Sequence, residues 1–208
     1  MRCGLRHERA LRRAGLETIA GVDEAGRGPL AGPVVAAAVI LPARFRHKKL
    51  NDSKKLPEKL REQIYAELVA RADISWAAAV IGCDEIDRIN ILRAAYAAMR
   101  SAVSTLAISP QHVLIDGLAV RPFPFPQTSI VRGDACSFSI AAASVIAKVT
   151  RDRIMREMDS RYPGYDFAQH KGYSTPLHLE RLRLHGPCPI HRKTFLPVAQ
   201  HILALAQV

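Results

Sequence analysis

The sequence predicts an α/β fold, a mixed β-sheet flanked by helices with a small helical cap at its C-terminal end. Three observations lead there. Apolar runs of strand length are interspersed with longer runs of helical spacing. Three of the strand-like runs come early and close together, which favours an antiparallel meander. From Tyr165 onward the composition shifts to His, Arg, Pro and Tyr. We therefore divide the chain into a main domain over residues 1–160 and a helical extension over 161–208 packed on it.

The elements follow in order. Arg2, Arg6, Arg9, Arg12 and Arg13 stud the first segment, which reads as a solvated lead-in helix. Glu8 and Glu17 argue against a transit peptide there. Residues 18–23 and 33–41 read as buried strands around a turn with Gly26, Gly28 and Gly32. An amphipathic helix is expected over 57–70, with Pro57 suited to its first turn. Residues 74–81 make a third strand, and Asp84 can cap one long helix over 84–106. A short apolar strand over 112–116 ends on Asp116, and 127–131 is another strand. The long helix over 137–160 is small or apolar in its first half, so it can lie close against the sheet. Pro163 and Gly164 stop it, and one last helix is expected near 176–184.

Charge narrows the partners. The 208 residues carry 30 Lys+Arg against 19 Asp+Glu, a formal net charge of +11. Such a surface attracts polyanions, of which nucleic acid is the usual one. The four cysteines form no Cys-x-x-Cys pair and nothing resembles a secretory signal, so a reducing, cytoplasmic setting is expected. The longest apolar run, 34–41, is too short to cross a bilayer, and no membrane partner is expected. His185, Cys188 and His191 offer three soft ligands across two prolines without a partner pair, so no zinc site is expected.

Four acids stand where α/β folds place their chemistry. Asp23 and Glu24 end an apolar strand before the glycine-rich turn, Asp116 ends another, and Asp134 begins the long helix. Each has an ordinary alternative: a turn former at Asp116, a helix cap at Asp134, a pair with Arg27 for Glu24. Together they suit a hard divalent cation, because converging carboxylates repel one another and Mg²⁺ or Mn²⁺ removes that cost. Two such ions can stabilise both the attacking water and the leaving oxygen in phosphodiester hydrolysis. Lys54 and Lys55 follow a polar turn and are candidates to meet phosphate, with a solvated pair as the alternative. Lys148, Arg151 and Asp152 share a helical face, either as support around Asp134 or as a surface ion pair.

The blocks that hold these residues resemble the ribonuclease HII family, the type 2 ribonucleases H. They are Gly-Val-Asp-Glu-Ala-Gly-Arg-Gly-Pro at 21–29, Asn-Asp-Ser-Lys-Lys-Leu at 51–56 and Glu-Ile-Asp-Arg-Ile-Asn-Ile at 85–91. Gly-Asp at 133–134, the run at 139–152, His-Lys-Gly-Tyr at 170–173 and Pro-Ile-His-Arg at 189–192 complete the set in order. The resemblance implies an RNase H-like fold and metal binding by Asp23, Glu24, Asp116 and Asp134. It implies that Gly26, Arg27 and Gly28 sense the 2′-hydroxyl, and that Tyr173 stacks on the deoxyribose at an RNA–DNA junction. The implied substrate is an RNA–DNA hybrid, or duplex DNA containing ribonucleotides, cut by a monomer on the 5′ side of a ribonucleotide. The products would carry 5′-phosphate and 3′-hydroxyl ends, which suits removal of misincorporated ribonucleotides and of primers. Cys136, Cys83 and Ser174 depart from the commoner pattern without touching a ligand position.

Two other readings compete. A basic module could bind hybrids without cutting them, but it would not need four acids at element ends. A metal-dependent DNA resolvase of the same fold would leave Gly26, Arg27, Gly28 and Tyr173 without a purpose.

Overall fold

Strands β1 (Ile19–Ala25) and β2 (Val34–Ile40) lie at the heart of a computed structural model that describes residues 3–205. Arg2, part of the lead-in segment, falls outside the described residues. With β3 (Ser75–Ile81), β4 (His112–Asp116) and β5 (Gln127–Ile130) they form a sheet in the order β3-β2-β1-β4-β5. The first three strands pair antiparallel, as the meander reading expects, whereas β4 runs parallel to β1 and β5 parallel to β4. The sheet is therefore mixed.

Strand β2 is apolar at all seven positions because both of its faces are covered. Side chains alternate across a strand, so Ala37 and Val39 pack in one layer with Ala142 and Ile146. Ala36 and Ala38 pack in the other with Ala98 and Met99. The first layer is covered by α5 (Phe138–Arg161), with α2 (Glu58–Val69) beside it; the second is covered by α4 (Ile91–Ser104). The small residues of α5 do lie close to the sheet. A Cβ on Gly21 would stand 2.1 Å from the Ser139 carbonyl carbon, so only glycine admits this approach.

Four details differ from expectation. The helix expected from Asp84 is two, α3 (Cys83–Ile89) and α4, broken at Asn90 with φ 69°. Asparagine tolerates the left-handed region, and its side chain then caps α4 by accepting from the Arg93 amide at 3.1 Å. Gly82, not Asp84, is the residue before the first turn of α3. Asp134 likewise caps nothing: it sits in a single 3₁₀ turn, Gly133–Ala135, and Ser137 caps α5. The lead-in helix α1 (Arg6–Arg13) is not simply solvated. Glu8 is buried and accepts from both hydroxyls of Ser137 and Ser139 and from the Ser139 amide, clamping the start of α5.

Among the described residues beyond 161 there are three helices where one was expected: α6 (Phe167–His170), α7 (Pro176–His185) and α8 (Leu196–Leu205). The single turn of α6 is enclosed by left-handed Asp166 and Lys171, a pattern without apolar periodicity to reveal it. This segment is tied to residues 30–32 by main-chain bonds from Leu30 to Gly172, Gly32 to Ile190 and Arg192 to Leu30. Leu30, Leu182 and Val198 share one buried cluster. No helix among the described residues is long and apolar enough to cross a membrane.

Candidate active site

The acids meet because of strand register. Strands β1 and β4 run parallel with Val22 opposite Ile115, and one step further brings Asp23 beside Asp116. Both project on the face that α5 covers, since Gly21, two residues before Asp23, is the point of contact with that helix. The turn after β5 delivers the third acid: the Gly133 amide donates to Asp116 Oδ1 at 2.6 Å, and Asp134 follows. Carboxylate oxygens of Asp23, Asp116 and Asp134 all lie within 4.8 Å of one another.

Glu24 is not in this group. Consecutive residues of a strand point to opposite faces, so Glu24 borders a cleft of about 160 Å³ with Tyr96 and Met99 of α4. It pairs there with Arg27 at 3.4 Å, the partner its spacing suggested. A second cleft, of about 350 Å³, opens on the other side among Asp52, Lys54, Asp134 and Arg132. Asp116 borders both clefts.

Burial and mutual repulsion raise the pKa values of these acids. Burial, then the charges of Glu24 and Asp116, push Asp23 well above the usual carboxylate range. Asp134 is pushed up to about 6, by burial first and then by Asp116 and Asp52. Burial also raises Glu24, with Arg27 pulling against it. Lys54 shows the same field from the other side. Burial disfavours its charge, yet the surrounding Asp23, Asp134, Asp52 and Asp116 outweigh that and raise it. Among the described residues only two amides serve the cluster, Glu24 N to Asp23 at 2.7 Å and Gly133 N to Asp116. An oxygen-only donor set with so few protein donors fits a hard divalent cation such as Mg²⁺ or Mn²⁺. Of the soft side chains near the C-terminal end, Cys188 Sγ lies 3.2 Å from His191 Nδ1, and His191 Nε2 lies 3.1 Å from His178 Nε2.

Comparison with known proteins agrees with this geometry. The family model of ribonuclease HII matches residues 20–198. The chain belongs to the ribonuclease HII family. Ribonuclease HII of Bacillus thuringiensis (strain Al Hakam) is 52% identical over 197 residues, covering 95% of this chain and 76% of that protein. The crystal structure of ribonuclease H2 from Pyrococcus horikoshii OT3 has a TM-score of 0.71 at 26% identity. That match covers 92% of this chain and all of the other, so the fold is RNase H-like. Bst-RNase HIII, solved in complex with Mn²⁺, shares the fold with a TM-score of 0.67 at 17% identity, over 96% of this chain and 73% of its own. Ribonucleases HII are ribonucleases H, and this chain is an enzyme of that hydrolase class.

The glycine-rich turn and the Tyr173 turn adjoin, with the Leu30 amide donating to the Gly172 carbonyl at 2.8 Å. Gly26 has φ 101°, and a Cβ there would stand 2.2 Å from Arg151 Nε, so the fold itself demands glycine. Gly28 is different: a Cβ would meet nothing within 4 Å, which leaves its backbone open to an approaching ligand. Arg27 is exposed apart from its bond to Glu24. Tyr173 is 40% exposed, with Lys148 and Arg151 each 5.7 Å from its ring centre. Lys54 faces the acids, whereas Lys55 sits 3.7 Å from Asp52 at the rim.

Three residues whose places sequence reasoning missed or misjudged border or brace this arrangement. Asp52 joins the acidic cleft; its place in the Asn-Asp-Ser-Lys-Lys-Leu block was the available signal. Arg151 is fully buried and donates to the carbonyls of Pro33, Lys171 and Ala31 at 2.9, 3.0 and 3.1 Å. It is neither a support for Asp134 nor a surface ion pair; Asp152 pairs instead with Lys148 at 2.6 Å. Arg192 is equally buried and donates to Gly26, Arg27 and Gly32 carbonyls between 2.6 and 3.0 Å.

Proposed function

We propose that this chain is an endonuclease that hydrolyses the RNA strand of RNA–DNA hybrids, including the 5′ side of single ribonucleotides embedded in duplex DNA. The products carry 5′-phosphate and 3′-hydroxyl ends. The observation that carries this reading is the convergence of Asp23, Asp116 and Asp134, with Glu24 across Asp116 on the opposite face. Asp23, Asp116 and Asp134 would hold one divalent ion, and Asp116 with Glu24 a second. Bound there, Mg²⁺ or Mn²⁺ supplies charge stabilisation to the attacking and leaving oxygens. The rest falls to the chain's own groups. Gly28, whose backbone is open, and the turn through Gly26 and Arg27 read the 2′-hydroxyl, the group that separates RNA from DNA. Tyr173 offers an exposed ring to the neighbouring deoxyribose. Lys54 and Lys55 line the cleft beside the acids and face the phosphates.

In this reading the protein acts as a monomer in the cytoplasm, free of any membrane. Residues 161–208 form a helical extension that completes the substrate side by supplying Tyr173. A direct test is incubation with Mg²⁺ and duplex DNA holding one ribonucleotide. The expected result is a single nick 5′ to that ribonucleotide. Binding without cleavage would favour a hybrid-binding module, and cleavage of ribonucleotide-free DNA junctions would favour a resolvase.

A further inference from the structure

A groove of about 810 Å³ lies next to the acidic cleft and takes no part in the site described so far. Their linings are neighbours along the chain. Asn51 borders the groove and Asp52 the cleft, neighbours about 3.8 Å apart along the chain. Ala135 likewise borders the cleft and Phe138, three residues on, the groove. Cys3 of the groove lies with its Sγ 3.9 Å from the Asp134 carbonyl. The groove thus adjoins the acidic cleft along two separate stretches of chain.

The rim is cationic. Arg9, Arg46, Lys48 and Lys49 border the groove, and all four are exposed. None of them takes part in an ion pair among the described residues, whereas Arg71, Arg88, Arg153 and Arg156 elsewhere on the surface each have a carboxylate partner. The acid nearest in sequence to Arg9, Glu8, is buried and committed to Ser137 and Ser139. The loop that presents the cations is itself fixed. Phe45 is buried edge-on to Phe138 at 5.6 Å, and Leu50 is buried. His47 Nδ1 accepts from the Lys49 and Leu50 amides at 3.2 and 2.8 Å, and its Nε2 meets Glu67 at 3.0 Å. Three anchored residues thus alternate with outward cations, so little ordering remains to be done on binding.

We propose that this groove is a second docking surface, which grips the phosphodiester backbone of the substrate duplex on the flank beyond the cleavage cleft. The proposal rests on the nuclease reading, since the groove's occupant is the continuation of the strand being cut. Unpaired, preorganised cations adjoining a nucleic-acid site match phosphates in charge and release their counterions on binding. The groove contributes affinity and footprint; it does not touch the reacting atoms.

The test uses the full chain with Arg46→Ala, Lys48→Ala and Lys49→Ala combined, leaving Phe45, His47 and Leu50 in place. Binding of a long duplex holding one ribonucleotide is followed by fluorescence anisotropy in EDTA across a salt series. Each lost phosphate contact should flatten the logarithmic salt dependence by about one, so the slope falls by about three and affinity drops roughly ten- to a hundredfold near physiological salt. With Mg²⁺ and saturating duplex, kcat should match the parent. Shortening the duplex from one end only should bring the parent down to the variant's affinity. Lys48→Glu combined with Lys49→Glu should shift the slope in the same direction and guards against an accident of one variant. If the parent binds and cuts while both variants keep its salt slope, the groove does not hold nucleic acid. Parent-like slopes with lost binding to poly-glutamate would assign it to acidic polypeptides and also overturn the proposal. If the parent neither binds nor cuts the duplex, it is the nuclease reading that falls.

Discussion

Two clusters of like charge are buried in this molecule, a cluster of acids at the ends of β1 and β4 and a pair of arginines behind the glycine-rich turn. Arg151 and Arg192 are both inaccessible, and neither has a carboxylate partner among the described residues. Burial, then the neighbouring Arg151, brings Arg192 down to about 10, still charged at neutral pH. What satisfies them is main chain: their guanidinium nitrogens donate to six different carbonyls. The acids receive two amides between them and face one another. Both arrangements carry a desolvation cost, yet only one is closed. Closed charge acts as a strut, here binding the Gly26 turn to the Tyr173 turn. Open charge is left for a ligand.

The contrast can be broken in order of effect. Asp23→Asn or Asp134→Asn should abolish cleavage while binding of hybrid persists, because an amide cannot hold the ions. Substantial turnover by either variant at saturating Mg²⁺ would remove that residue from the site. Arg192→Met, at the strut, should act on stability. Three carbonyls, those of Gly26 and Gly32 buried, lose their donor, at a cost of about 3–5 kcal/mol in urea denaturation. A loss below about 1 kcal/mol would mean that water replaces the guanidinium and that no strut exists.

Tyr173 lies where the two clusters meet the solvent. Tyr173→Ala should lower cleavage of a single embedded ribonucleotide about ten- to a hundredfold, with Tyr173→Phe near the parent, if ring contact matters more than the hydroxyl. Its ring is 40% exposed, so the alanine variant should melt close to the parent. A large drop in Tm with normal cleavage at low temperature would make the residue a packing element.

The smallest effect is on the metal-free protein. The folded state holds the Asp134 proton more tightly than the unfolded chain, whose carboxyl titrates near 3.8, against about 6 when folded. Stability tied to this group is therefore full below the unfolded value and is lost as pH rises through about 6. Without metal, Asp134→Asn should melt slightly higher than the parent at pH 7, by an amount worth about 1 kcal/mol after allowance for solvent screening. The difference should shrink as the pH falls below about 6, and an unchanged or lower Tm at pH 7 would show that the acids are already compensated.

Much of this was legible in the sequence. A carboxylate ending an apolar strand has no place in a core, which singled out Asp23 and Asp116. The separation of Glu24 from Asp23 follows from strand alternation, but only once β1 is known to be covered on both faces. Asp52 was hidden because its block was read for its lysines. Arg192 could not be read at all, since its acceptors lie some 160 residues earlier and no local spacing points to them. The break at Asn90 was masked by apolar residues that keep helical spacing across it.

The distinction between open and closed charge is tested most directly by titrating Mn²⁺ into the metal-free protein in a calorimeter, beside Asp23→Asn and Arg151→Lys. The account expects saturable binding by the parent, its loss in Asp23→Asn, and its retention in Arg151→Lys wherever that variant is folded. Binding that survives Asp23→Asn with parent affinity, or a parent that binds no Mn²⁺, would contradict it.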